Sequence, residues 1–104
     1  MKTWSEYGSV VGALEMIRET RALIARHSHF TPVELDEAIV CIEDGVPFAR
    51  REAFRKVEGL CHPKAYGDLF MEGYPGGGWA WFGHLEKLQG ACARAASKLE
   101  HEEA

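Results

Sequence analysis

The sequence lacks the long apolar runs that membrane insertion requires. No stretch approaches the ~20 consecutive apolar residues of a membrane-spanning helix. The N-terminal segment holds one lysine, and Ser5, Glu6 and Gly8 interrupt its apolar residues, which is not the pattern of a signal peptide. We therefore expect neither a membrane partner nor secretion.

Cysteine is also scarce. The chain has three cysteines, Cys41, Cys61 and Cys92, which are far apart and odd in number. A secreted disulfide scaffold carries more cysteines, in pairs, so a reducing cytoplasm is the expected location. The sequence contains no C-x-x-C and no H-x-x-x-H pair of the kind that builds structural zinc sites. We expect no metal ion and no cofactor.

A strong charge of either sign is missing as well. Sixteen acidic and twelve basic residues give a net charge of −4, which provides no general attraction to nucleic acid or to anionic membranes. The remaining composition is globular, since 46% of the 104 residues are apolar and 27% are charged. This length suits one helical domain, predicted over residues 1–100, with a short solvated tail at residues 101–104.

Hydrophobic periodicity predicts an all-α fold. Apolar residues recur at steps of three and four, and no segment alternates in the manner of a strand. Glycine and proline divide the chain into four substantial helices and one short helix, at about residues 4–27, 32–44, 47–58, 63–71 and 79–100. We expect a compact bundle of four to five helices, with a Gly-rich loop before the long C-terminal helix.

Local signals predict how these helices begin and end. They are Thr3 with Glu6, Thr31 with Pro32 and Glu34, Gly45, and Gly59. The two Thr–Glu pairs read as capping boxes, and proline suits a first turn because it has no N–H to satisfy there. Gly45 is expected to end the second helix in the left-handed conformation, and Gly59 to cap the third.

Two segments carry the clearest predictions about the core. In the last helix, four–three spacing places one apolar seam on a single face; its members are Trp81, Leu85, Leu88, Cys92, Ala95 and Leu99. In the short helix, the residues expected to face inward are Ala65, Tyr66, Leu69 and Phe70.

No motif for catalysis or nucleotide binding is found. The glycine loop at residues 73–78 precedes a helix N-terminus, where backbone N–H groups can bind phosphate. Trp79, Ala80 and Trp81 nevertheless follow the glycines, so the lysine and hydroxyl of a nucleotide-binding loop are not in place, and a flexible connector is predicted. Cys61 and His62 are adjacent, and sequence neighbours rarely face each other as nucleophile and base. We expect no enzyme activity.

Basic residues of the third helix suggest one alternative function. Arg51, Arg55 and Lys56 could contact phosphate if helices two and three formed a helix-turn-helix. Interleaved acids and the acidic outer face of the second helix favour a different interpretation, in which the two helices pair by complementary charge. Arg21 and Arg50 project onto apolar faces and are expected to pair with acids of the second helix.

Two features suggest a surface for binding another protein. Tyr74 and Trp79 flank the glycine loop and are expected to be the exposed pair of the aromatic cluster in residues 66–82. Gly83, Gly90 and Ser97 recur every seven residues on the side of the last helix opposite its seam, with Arg94 beside them. Small residues let another helix approach closely, either within this fold or from a partner.

These patterns predict a small non-enzymatic protein that binds another protein, as an inhibitor or adaptor, with a second copy of the chain as one candidate partner. The alternative is a small DNA- or RNA-binding regulator that uses the basic third helix. Small size, acidity and lack of motifs are typical of inhibitors from phages and mobile elements, including anti-CRISPR proteins. No residue pattern assigns the chain to such a family.

Overall fold

The computed structural model describes the backbone of residues 4–103 and the side chains of residues 10–101. Its elements are α1 (Trp4–His27), α2 (Val33–Asp44), α3 (Pro47–Leu60), one 3-10 turn (Tyr66–Asp68) and α4 (Gly77–Glu103). No strand occurs in this part of the chain, and the predicted all-α bundle is confirmed. The predicted capping box of Thr3 and Glu6 lies outside the described side chains.

The four helices form a ring in which neighbours run in opposite directions. Helix α1 contacts α2 and α4, and α3 contacts the same two helices from the other side. Ion pairs Arg18–Glu43 and Arg21–Asp36 occur in reverse order along α1 and α2, as an antiparallel pair requires. Short connections at residues 28–32 and 45–46 explain this arrangement, because they join only adjacent helix ends.

Apolar residues from all four helices meet in one core. Its largest fully buried side chains include Trp81, Phe54 and Ile17, each of which stabilises the fold by about 1.5–3 kcal/mol through burial. Every member of the predicted α4 seam is buried, which confirms that prediction. Thr20 is the only fully buried polar residue among the described side chains, and its hydroxyl donates to the carbonyl of Met16 at 2.8 Å.

Helix α2 begins at Val33, without the predicted cap. Pro32 is buried and occupies the N-cap position, and no side chain caps the helix. This shifts the start by one residue and leaves Thr31 exposed, with its carbonyl accepting from the N–H of Val33 at 2.9 Å. Glu34 accepts a hydrogen bond from the hydroxyl of Tyr66 at 3.2 Å. The predicted capping box of Thr31 and Glu34 is therefore wrong.

The C-cap of α2, Gly45, has to be glycine for a steric reason. Its φ of −84° and ψ of 164° are extended, so the predicted left-handed conformation is wrong. A Cβ at this position would overlap the carbonyl oxygen of Cys41 and lie 3.1 Å from the Cβ of Ala49. The predicted cap at Gly59 is wrong too, because α3 continues to Leu60 and Cys61 follows as its C-cap.

The segment between α3 and α4 is less helical than predicted. Helical structure in residues 63–71 is limited to the 3-10 turn, after which Leu69 is extended. Tyr66 is buried as predicted, but Phe70 is exposed, since the extended residue turns it away from the core. Helix α4 begins at Gly77 and continues to Glu103, so residues 101–103 of the predicted tail are helical.

Candidate functional site

The loop between α3 and α4 is bound to the end of α1. The N–H of Glu72 donates to the carbonyl of His27 at 2.7 Å, and the Nδ1 of His27 donates to the carbonyl of Glu72 at 2.8 Å. Nearer α3, the indole N–H of Trp81 donates to the carbonyl of Tyr66 at 2.9 Å. These bonds hold the loop in place at two points.

Tyr74 anchors the same loop through its ring. Edge-to-face contacts join it to His27 and to Trp81, each with 5.5 Å between ring centroids. Burial raises the pKa of the Tyr74 hydroxyl. The residue is thus half-buried, contrary to the expectation that it is exposed, because both rings cover its edges. Its part in partner binding stays a prediction.

Two glycines turn the loop into α4. Gly76 and Gly77 have φ values of 87° and 72°, a region that residues with a Cβ rarely adopt. Helix α4 starts at this turn, which places Trp79 in its first turn and Trp81 two positions later. Successive helix positions are ~100° apart, so the two indoles point in nearly opposite directions. Trp81 lies in the core and Trp79 lies in solvent.

Three aromatic side chains are exposed around this turn. Trp79 is 87% exposed, Phe70 78% and Phe82 40%. The rings of Trp79 and Phe82 meet edge to face, with 6.4 Å between their centroids. We call Phe70, Trp79 and Phe82 the aromatic surface. Of these three residues, only Trp79 was predicted to be exposed. Phe82 directly follows the seam residue Trp81, and this position just off the seam is the sequence signal that could have predicted its exposure.

Phe82 separates two apolar depressions. The first, of about 290 Å³, is bordered by Phe70, Met71 and Phe82. The second, of about 400 Å³, is bordered by Trp79, Phe82 and Leu85. Gly67 is needed beside them, because a Cβ there would lie 3.0 Å from the Phe82 ring. The aromatic surface therefore contains two concave sites that share one wall.

The charged groups in both depressions are acidic. Glu72 lines the first and Glu86 the second, and no other charged residue among those described lines either one. Both side chains are exposed. Neither forms an ion pair within the described residues, whereas other carboxylates such as Asp36 and Glu58 do.

No described residue of another element packs against the small-residue face of α4 at its glycines. A Cβ on Gly83 would meet no described atom within 4 Å, and one on Gly90 would meet only the Arg94 side chain, at 3.2 Å. Ser97 is exposed on the same side. The face begins one turn after Trp79.

The basic residues of α3 are paired with carboxylates. Arg55 contacts Glu58 at 3.0 Å and Glu100 at 3.5 Å, and its pKa is raised mainly by the hydrogen bond to Glu58.

The two other cations of this group also have acidic partners. Lys56 lies 3.9 Å from Glu37 of α2, an ion pair that joins these two helices. Arg51 lies 3.8 Å from Glu52 and above the ring of Phe48. All three candidate phosphate-binding cations thus have an acidic neighbour.

The two arginines that were predicted on apolar helix faces, Arg21 and Arg50, differ in whether they have an acidic partner. Arg21 pairs with Asp36 of α2 at 2.8 Å, as predicted, and this hydrogen bond lowers the pKa of the Asp36 carboxyl. The Nε–H of Arg50 is buried and donates to no acceptor among the described residues. Arg50 forms no ion pair with α2 there either, so the prediction that it pairs with an acid of this helix is wrong.

Thiols and imidazoles do not assemble into a reactive or metal-binding site. The Cys61 thiol donates to the carbonyl of Val57 at 3.4 Å, while the Nδ1 of His62 accepts from the N–H of Lys64 at 3.1 Å. Burial raises the pKa of both Cys61 and Cys92 to about 12. No group of three or more metal-ligating side chains occurs in the part of the chain described here.

Within the described residues, no helix combines the length and apolar character needed to cross a bilayer. No protein-family model, curated protein or solved structure matches the chain.

Proposed function

We propose that the chain is a non-enzymatic protein-binding domain of the cytoplasm, which acts as an inhibitor or adaptor through its aromatic surface. One observation carries this proposal. Trp79 is 87% exposed beside Phe82 and two apolar depressions, while the core behind it is complete without either ring. Covering such rings is favourable by about 25 cal/mol per Å² of apolar area, and clustered exposed apolar groups of this kind mark interaction sites.

The chemistry of the surface suits a protein partner. Tryptophan is enriched among the residues that dominate binding energy at protein interfaces, particularly where a pocket adjoins it. Trp79 supplies a ring for the partner to cover, and the two depressions receive apolar side chains from it. Phe82 contributes to both depressions.

The outer face of α4 extends this site. Gly83 lies one turn after Trp79, and Gly90, Arg94 and Ser97 continue along the helix. Because no described residue of another element packs against Gly83, a partner segment can approach the backbone closely there. Tyr74 contributes indirectly, by fixing the loop that carries Phe70.

Nucleic-acid binding has less support. Arg51, Arg55 and Lys56 each lie within 4 Å of a carboxylate, so part of their charge is already neutralised. A mobility shift in low salt that disappears when all three become glutamate would nevertheless favour this function over ours.

Affinity capture tests the proposal with matched variants. Wild type and Phe48→Ala, which removes an exposed phenylalanine outside the site, should both retain one protein in stoichiometric amount. Trp79→Ala should lose it while keeping its helical circular dichroism. Equal capture by Trp79→Ala would mean that the aromatic surface is not the binding site.

A further inference from the structure

We infer that the partner presents a basic amphipathic segment, with two large apolar anchors and adjacent Lys or Arg residues. This inference rests on the proposed function and specifies its ligand. The two depressions on either side of Phe82 set the number of anchors, since each has room for one large apolar side chain.

The carboxylates of the depressions determine the charge of the segment. Glu72 and Glu86 are the only charged residues that line these sites, and both are exposed without an ion-pair partner in the described structure. An apolar segment that covers the depressions brings its flanking residues close to both carboxylates. Acidic flanking residues would be repelled there, and basic ones attracted.

The exposed indole adds a second attraction for cations. The ring of Trp79 is 87% exposed, and tryptophan is the aromatic residue whose face binds a guanidinium or ammonium group most strongly. Carboxylates and indole therefore favour the same kind of side chain. The net charge of −4 adds a weaker long-range attraction of the same sign.

Other occupants fit these groups less well. An anionic membrane surface would be repelled by Glu72 and Glu86. A second copy of the chain is also acidic overall, and although its Phe48 is exposed, the arginine above that ring, Arg51, is largely covered.

Selection from a displayed library of random 16-residue peptides tests the inference. Wild-type protein should enrich peptides that carry two large apolar residues and an excess of Lys and Arg. These peptides should not bind Trp79→Ala. The double variant Glu72→Gln, Glu86→Gln should bind them about three- to tenfold more weakly at 50 mM salt, as expected for two partly exposed charge pairs, and the difference should shrink at 300 mM.

A matched control removes two carboxylates outside the depressions. Glu15→Gln, Asp44→Asn changes the net charge equally, and it should bind within twofold of wild type.

Each other outcome overturns a defined statement. Selected peptides could require Trp79 yet show no excess of Lys and Arg, or they could bind the Glu72 and Glu86 double variant normally. Either result would refute the inference that the partner segment is basic and leave the proposed function standing. If no enriched peptide depends on Trp79, both the inference and the proposed function are refuted. A dimer in sedimentation that Trp79→Ala dissociates would assign the surface to a second copy of the chain and refute the inference.

Discussion

The hydroxyl oxygen of Thr20 and the Nε2 of His84 lie 2.7 Å apart and join α1 to α4. Thr20 is fully buried, and its own O–H is used by the carbonyl of Met16. The imidazole must therefore donate, which fixes His84 as the Nε2–H tautomer. The ring also stacks on Trp81, with 5.6 Å between centroids and 8° between planes.

Replacing Thr20 with valine, its apolar isostere, should reveal how much the hydrogen bond to His84 stabilises the fold. Thr20→Val leaves the Nε2–H of His84 without an acceptor, so we expect the free energy of unfolding to fall by about 1–2 kcal/mol. Urea unfolding measures it. In a His84→Leu background the same substitution should cost clearly less, because no donor is left unpaired. Equal costs in the two backgrounds would show that the bond does not stabilise the fold.

His84 should also make stability depend on pH. Burial lowers the pKa of its imidazole; Glu19 partly opposes this shift and Lys87 adds to it. Below the ordinary pKa of about 6.5, the unfolded chain takes up the proton before the folded one does. The contribution of His84 to the free energy of unfolding is therefore fully present above its ordinary pKa, and it declines as the pH falls through the lowered pKa.

Urea unfolding between pH 8 and pH 5 measures this effect. His84→Gln, which keeps an N–H donor, should have a flatter profile over this range. The lowered pKa of Asp36 acts only at more acidic pH. An unchanged slope in His84→Gln would assign the dependence to another group.

Two glycine substitutions should have opposite effects. Gly45→Ala should destabilise the protein by about 1–3 kcal/mol, because its Cβ overlaps the Cys41 carbonyl. Gly59→Ala, inside α3 with no atom within 4 Å of the added Cβ, should stabilise it by about 0.5–1 kcal/mol. Thermal or urea unfolding distinguishes them, and stabilisation by both would contradict the steric role of Gly45.

The cysteines should react at very different rates. Cys41 is exposed, whereas Cys61 and Cys92 are buried with pKa values raised to about 12, and only the thiolate is nucleophilic. One alkyl group should therefore add to the native protein at pH 8, and three in denaturant. Mass spectrometry counts the adducts, and rapid labelling of all three in the native state would refute the buried placement.

Periodicity predicted the helices and the α4 seam because side-chain burial in a bundle follows helix geometry. It placed Trp81 correctly, since its position repeats through Leu85 and Leu88. It could not place Phe70, which follows an extended residue in a loop and has no repeating pattern. Phe82 belongs to the aromatic cluster of residues 66–82, and the sequence did not assign it to the core or to the surface.

Helix ends were less predictable because their caps depend on tertiary contacts. Burial of Pro32 moved the start of α2, and Glu34 bonds to Tyr66 from a distant segment. Gly45 is required because a Cβ there would overlap the carbonyl of Cys41, and this overlap depends on the backbone path out of α2, which the local sequence does not reveal. Glu72 lies two residues after Phe70, and Glu86 lies four residues after Phe82 in α4; the sequence did not reveal that the fold brings these two segments to one surface.

The stability of Trp79→Ala should separate binding from folding. The ring is almost wholly exposed, so we expect the free energy of unfolding to stay within about 0.5 kcal/mol of wild type. Trp81→Ala should instead lose about 3–5 kcal/mol, because it empties the core. A large loss in Trp79→Ala would make this ring part of the folded core.

One measurement tests the central claim most directly. It is the dissociation constant of the captured partner, or of a selected peptide, measured for Trp79→Ala and compared with those for wild type and Phe48→Ala. We predict binding at least about tenfold weaker for Trp79→Ala, as removal of a dominant interface tryptophan requires, and unchanged binding for Phe48→Ala. Wild-type affinity in Trp79→Ala would contradict the assignment of the aromatic surface as the binding site.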